Sequence, residues 1–238
     1  MKGKLYLIPS FLGSENPKDV FPDLNREIVS TLKYFIVEEE RTARRFLKKI
    51  VHEIVIDDLH FSILNEHTKS ISIVEFLNPC SDHSVGMISE AGVPCVADPG
   101  ALVVKMAHEK GIEVVPLVGP SSILMALMAS GMNGQSFAFN GYLPIQSNER
   151  AQKLRFFERR SELEYQTQIF IETPYRNIQL FDDIIKYCNP DTFLCIACDI
   201  TLPSQIINTL TIKEWKMKKP DIHKRPSIFC LMKQRSNI

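Results

Sequence analysis

The chain of 238 residues has no net formal charge, because 28 lysines and arginines meet 28 aspartates and glutamates. A neutral chain exerts no global pull on nucleic acid, so any such attraction has to be local. No apolar run reaches the roughly 18–20 residues that span a bilayer. The N-terminal stretch MKGKLYLIPSF has basic residues but too short an apolar run for a signal peptide. The chain therefore reads as cytoplasmic, with no membrane partner. Repeats and low-complexity segments are missing too. No G-x-G-x-x-G follows the first strand-like run and there is no P-loop, which argues against a di- or triphosphate ligand. Neither H-x-x-x-H nor G-x-S-x-G occurs, and the six histidines are scattered, so zinc-hydrolase and nucleophile-elbow chemistry lack their usual marks.

What is present suits an ordinary globular protein, 45% hydrophobic and 24% charged. Its six cysteines are dispersed, four of them within apolar stretches, as reduced core thiols in the cytosol would be. Cys195 and Cys198 spell C-x-x-C inside the strand-like run LCIACDI. Residues three apart on a strand face opposite ways, which favours buried thiols over a metal or redox pair.

The first half alternates strand and helix signals. Strands are predicted at Lys4–Ile8, Tyr34–Val37, Ile54–Ile56, Val85–Ile88 and Glu113–Pro116. Helices are predicted at Pro22–Leu32, Arg41–Val51, Thr68–Leu77, Ala101–Lys110 and Ser121–Ser130, the last two ended by Gly111 and Gly131. This alternation implies a mostly parallel sheet covered by helices. The second half has more strands, at Phe137–Phe139, Gln168–Glu172, Phe193–Asp199, Gln205–Thr211 and Ser227–Met232, with helices at Glu149–Leu163 and Asn177–Cys188. The expected architecture is α/β in two domains: residues 1–118 around a mostly parallel sheet, residues 119–238 around a mixed one, and a ligand cleft between the domains.

Two punctuated loops dominate the chemistry. In VGMISEAGVPCVADPG (Val85–Gly100) a buried strand breaks into turns at Gly92, Pro94, Pro99 and Gly100, and PLVGP (Pro116–Pro120) opens onto the very apolar SSILMALMAS. Strand-end loops of open α/β sheets are where small ligands bind, and glycines permit close backbone approach. Plain loop punctuation is the alternative, weakened by the apolar residues between the turns. An adenosyl sulfonium fits such loops: it needs an apolar slot and backbone hydrogen bonds, but no anion cradle.

Arg41, Arg44, Arg45, Lys48 and Lys49 share one face of their predicted helix, at i, i+3, i+4, i+7 and i+8. Ala43, Phe46, Leu47 and Ile50 share the opposite face and dock on the core. Such a stripe either contacts a phosphate backbone or is a solvated face partly neutralised by Glu38–Glu40. His67 in NEHT and Tyr175–Arg176 after the strand Gln168–Glu172 are candidates for a cleft, with an exposed loop and a simple turn as the plainer readings.

Taken in order, ISEAGVPCVADPG, VVPLVGPSS, FNGYLP (Asn140–Pro144) and FIETPYR (Phe170–Arg176) resemble tetrapyrrole-methylase-fold enzymes. The likeness is nearest to the ribosomal RNA small-subunit methyltransferase I branch. LYLIPSFLG (Leu5–Gly13), VEEERTARRFL (Val37–Leu47) and NEHT (Asn65–Thr68) resemble that branch's opening strand, acidic-then-basic segment and short histidine motif. The resemblance implies a homodimer, S-adenosylmethionine in the interdomain cleft, and 2′-O-methylation of a cytidine in small-subunit ribosomal RNA. Carried over, the cofactor residues are Ser89, Glu90, Ala91, Gly92, Val93, Asp98, Pro99, Gly100, Ser121 and Ser122, with Leu143, Pro144 and Thr173 as further wall. The catalytic candidates are Glu39, Arg41, His67 and Arg176, and the RNA contacts Arg44, Arg45, Lys48 and Lys49. No metal is implied.

The segment ACDITLPSQ departs from the branch: Cys198 stands where an arginine is usual, Asp199 where a glutamate is, and Leu202 where a lysine is. The branch also usually carries a small extra C-terminal domain beyond the point where this chain stops. Both departures remove charge or surface that would meet RNA and leave the cofactor loops intact. A small-molecule methyltransferase of the tetrapyrrole type, and a non-catalytic cofactor-binding or ribosome-docking protein, are the competing expectations.

Overall fold

The computed structural model describes residues 2–65, 68 and 70–234. The chain forms two units, Met1–Ser121 and Ser122–Ile238.

In the first unit the short apolar runs become β1 (Leu5–Ile8), β2 (Tyr34–Val37), β3 (His60–Ile63), β4 (Val85–Ile88) and β5 (Val114–Pro116). They are joined by α1 (Pro17–Val20), α2 (Asp23–Ser30), α3 (Glu40–Ile50), α4 (Ser70–Phe76) and α5 (Ala101–Glu109). The sheet order is β3-β2-β4-β1-β5, and every pairing is parallel. From β1 the chain steps over β4 to β2 and on to β3, then turns back to β4 and over β1 to β5. Right-handed crossovers running in opposite directions put their helices on opposite faces. Two separate cores result: Val29, Phe46 and Leu47 lie on one face, Ile73, Val103 and Ala107 on the other. All four residues of β4 are buried, as a strand covered on both faces requires.

Helix α3 shows which force sets the local structure. Phe46, Leu47 and Ile50 are buried, at about 1.5–3 kcal/mol each, which outweighs the tenths of a kcal/mol lost where cations stand four apart. The strand expected at Ile54–Ile56 does not form. Ile56–Asp58 makes a single tight helical turn, its two aspartates better suited to a turn than to a ladder, and the edge strand follows at β3.

The second unit comprises α6 (Ser122–Ser130), β6 (Phe137–Tyr142), α7 (Ser147–Glu164), β7 (Thr167–Ile171), α8 (Asn177–Tyr187), β8 (Phe193–Cys198), β9 (Ile206–Thr211), α9 (Ile212–Trp215) and β10 (Ser227–Met232). Its sheet runs β6-β7-β10-β8-β9. Only β6–β7 is parallel; the other pairings are antiparallel, so the sheet is mixed. Cys195 and Cys198 are both buried in β8, Cys195 standing opposite Cys230 of β10. The six thiols are free, and among the described residues no cluster could hold a metal. No helix there is long and apolar enough to cross a membrane.

Candidate active site

Strands β1 and β4 are neighbours whose following loops depart to opposite faces, and such a switch point opens a crevice at the carboxyl edge of a parallel sheet. A cleft of about 390 Å³ lies there. Ser10, Phe11, Leu12 and Gly13 after β1, Thr42, Arg45, Phe46 and Lys49 of α3, and Ser89 and Glu90 after β4 contribute to its walls.

The loops around it interlock. The Ser10 N–H donates to the Gly92 carbonyl at 2.9 Å, and the Ser89 hydroxyl donates to the same oxygen at 2.6 Å. Gly92 has φ +72°, and a Cβ there would lie 3.1 Å from the Pro120 carbonyl oxygen; one at Gly119 would overlap the Pro9 ring at 2.3 Å. The segments after β1, β4 and β5 therefore touch. Within the second of them, the Asp98 carboxylate accepts the Cys95 N–H at 2.8 Å and the Gly100 N–H at 2.7 Å. Cys95 and Ala97 hold positive φ, at 69° and 64°, a strain that persists only where surroundings enforce it. Burial and the Asp98 carboxylate push the Cys95 thiol up to about 12, which keeps it protonated and unsuited to nucleophilic work.

The side chains of Ser89 and Asp98 are thus occupied in shaping the loop. Glu90 accepts the Thr42 hydroxyl at 2.6 Å. Ala91 is exposed, and Val93 and Pro99 are half-buried. Ser121 ends the first unit, and Ser122 begins α6 in the second. At these loops the buried Ser10 hydroxyl oxygen has no hydrogen-bond partner among the described residues, and Val96 and Val118 are 43% and 75% exposed.

Glu39 is the N-cap of α3, its carboxylate accepting the Arg41 N–H at 3.1 Å; Arg41 itself is exposed. The carboxylate that the sequence reading passed over is Glu38, half-buried directly beyond β2. It lines a small hollow with Asp98, Pro99 and Gly100. Burial pushes its carboxyl above the ordinary range and the Asp98 and Glu90 carboxylates add to this, while the Glu90 N–H, 3.4 Å away, acts in the other direction. Its place as the first acid after a buried strand was the available signal. His67 lies outside the described residues.

Arg176, in the second unit, donates twice to one Glu172 oxygen, at 3.0 and 2.6 Å, and the Thr173 N–H donates there too, at 2.7 Å. Leu143 and Pro144 line a hollow of about 370 Å³ with Asn140, Tyr142 and Lys153. Arg150, whose side chain is 1% exposed, ties that segment down. It donates to the carbonyls of Pro144 and Ile145 at 2.9 and 2.7 Å and pairs with Asp183.

The cation stripe of α3 divides into two rows. Arg44 pairs with Glu40 at 2.7 Å and covers the Phe61 ring. Lys48 donates to the carbonyls of His52 and Ile54. Arg45 and Lys49 line the cleft; Lys49 bonds Glu15 and so holds that carboxyl below its ordinary range. At the departing segment, Cys198 is fully buried. Asp199, at φ +51°, receives a guanidinium from elsewhere in the chain: Arg225, just before β10, pairs with it at 2.9 Å.

No family model matches the chain. The ribosomal RNA small subunit methyltransferase I of Vibrio cholerae is 29% identical over 210 residues, covering 88% of this chain and 69% of that protein. The protein of the same name from Bacillus subtilis is 35% identical over 177 residues, 73% of this chain and 56% of its own. The chain thus spans little more than half the length of the Bacillus relative. The crystal structure of the methyltransferase CobJ matches with a TM-score of 0.63 at 14% identity, covering 97% of this chain and 94% of that one. Uroporphyrin-III C-methyltransferase from Thermus thermophilus, complexed with S-adenosylhomocysteine, matches at 0.54 and 13% identity, covering 97% and 98%. At such identities the structural likeness is one of fold.

Proposed function

We propose that this chain, a member of the tetrapyrrole-methylase fold family with small-subunit ribosomal RNA methyltransferases I as sequence relatives, is an S-adenosylmethionine-dependent methyltransferase acting on a ribose 2′-hydroxyl of small-subunit ribosomal RNA. The observation that carries this reading is the switch-point cleft. It has interlocked loops on one side and Arg45 and Lys49 on the other, and a half-buried carboxylate stands among those loops.

The loops fit an adenosyl sulfonium: exposed Val96 and Val118 offer apolar surface, and the Ser10 hydroxyl has no partner among the described residues. When bound, S-adenosylmethionine supplies an electrophilic methyl carbon. The main chain around Gly92, Gly100 and Pro120 holds and orients it, and near-collinear placement of the reacting atoms contributes much of the acceleration. A ribose hydroxyl is a poor nucleophile at neutral pH and needs a base. Glu38 takes that proton in this reading. Burial shifts its carboxyl upward, which makes it a stronger base than an ordinary glutamate. Arg45 and Lys49 hold flanking phosphates. The enzyme works in the cytoplasm as a homodimer, a state that light scattering on the purified protein would check.

The test is transfer of radiolabelled methyl from S-adenosylmethionine to small ribosomal subunits lacking the modification, followed by alkaline hydrolysis. A labelled dinucleotide resistant to alkali supports ribose methylation. Label on a base, or none on RNA, overturns it. The fold neighbours favour a second reading, a tetrapyrrole carbon as acceptor, which requires salt-independent substrate binding. Tight cofactor binding without turnover on any acceptor would leave the non-catalytic reading.

A further inference from the structure

Helix α7 buries Ala151, Leu154 and Phe157. Its outer face carries Lys153, Arg155, Phe156 and Arg159, all exposed. Phe156 is 55% exposed, so its ring contributes little to the core and stands among cations. Lys153 lies 5.8 Å from that ring. Next to Phe156 in sequence, Arg155 covers the ring of Tyr187 at 5.4 Å, and Lys186 approaches the same ring at 4.9 Å.

The carboxylates of the helix are engaged away from these cations. Glu158 accepts the Asn189 N–H and the Thr192 hydroxyl, Glu162 pairs with Lys233, and Glu164 with Arg160. Glu149, one turn before Lys153 in the first turn of the helix, makes no ion pair with it among the described residues. In a chain of zero net charge, this leaves a local face of aromatic rings bordered by cations without acidic partners among the described residues. A ring offers a stacking platform to any base, and neighbouring cations follow the phosphates; that combination binds single-stranded nucleic acid.

We propose that the outer face of α7 is a second RNA-contacting surface. A base stacks on Phe156, and Lys153, Arg155 and Arg159 meet the phosphates on either side. This rests on the RNA reading above and adds a site on the second unit to the cleft of the first.

The test is fluorescence anisotropy of labelled oligouridine across a salt titration, with S-adenosylmethionine affinity by calorimetry and thermal melting as controls. Phe156→Ala and Phe156→Leu should each weaken binding about tenfold, and Phe156→Tyr should restore it. The double variant Arg155→Glu, Arg159→Glu should flatten the log–log salt slope by about 1.4, at about 0.7 for each lost phosphate contact. Cofactor affinity and melting should stay put in all of them. Wild-type binding that these variants leave unchanged overturns the α7 surface and spares the proposed function. Weaker binding with an unaltered salt slope overturns the phosphate contacts. Failure of the wild type to bind RNA removes both readings.

Discussion

The two sheets handle charge in opposite ways. In the parallel sheet of the first unit every strand ends at the same edge, so the loops after β1, β2, β4 and β5 crowd together. There the half-buried Glu38 has its carboxyl pushed upward, with Asp98 and Glu90 as neighbours. In the mixed sheet strand ends alternate between edges, and the buried charges are neutralised where they stand: Arg150 by Asp183, Arg225 by Asp199, Arg176 by Glu172. A charge that is paired and hydrogen-bonded holds a scaffold; one that is half-desolvated without a counter-ion is poised to change protonation state. The contrast is between a carboxyl left half-desolvated in the first unit and paired charges that brace the second.

Three single substitutions and two paired charge reversals would break or sharpen that contrast. The largest effect is expected from Arg150→Met, which strands Asp183 and frees the Pro144–Ile145 carbonyls. Removing one member of a buried pair costs about 3–5 kcal/mol, readable by urea denaturation. An effect under about 1 kcal/mol would mean that Arg150 is no anchor.

Next comes Glu38→Gln, expected to lower methyl transfer about a hundredfold while cofactor affinity holds. Its stability effect has the opposite sign. A carboxyl raised in the fold favours the neutral form, so the native protein is penalised once pH passes the folded-state value. Glutamine removes that penalty. The variant should melt higher than wild type at neutral pH, with the gap closing as pH falls below the unfolded carboxylate range. Lower stability at neutral pH would show the carboxylate to be an anchor, like those of the second unit.

Gly92→Ala places a Cβ in a left-handed conformation 3.1 Å from the Pro120 carbonyl. It should cost about 1–2 kcal/mol and weaken cofactor binding through the displaced loop. Calorimetric affinity equal to wild type would detach that loop from the cofactor.

The smallest effect is a difference between rows of cations. Reversing Arg45 and Lys49 should flatten the salt dependence of RNA binding by about 1.4. Reversing Arg44 and Lys48, which do not line that cleft, should alter it less. Equal effects would restore a single undivided stripe.

Much of this was legible in the chain. The amphipathic pattern of Arg41–Val51 foretells α3 and its buried face. The alternation of apolar runs foretells the parallel sheet, and glycine and proline mark the loops that turn out to touch. The short edge strand His60–Ile63 was not legible, because it is neither fully buried nor alternating. Helix α9 was overlooked although Thr211 and Glu214 spell a capping box. Glu38 and Glu39 are adjacent and chemically alike; only the fold makes one a helix cap and the other half-buried.

The amino-acid order alone determined the kinds of element, the faces they bury and the places where the backbone breaks, because these follow from periodicity and local turn chemistry within a few residues. Tertiary structure alone decided that Ser10 lies against Gly92, that Arg225 answers Asp199 from 26 residues away, and that Glu38 loses solvent. Those outcomes depend on strand order and desolvation, which are set by contacts between segments far apart in the chain and leave no mark on the spacing of neighbours.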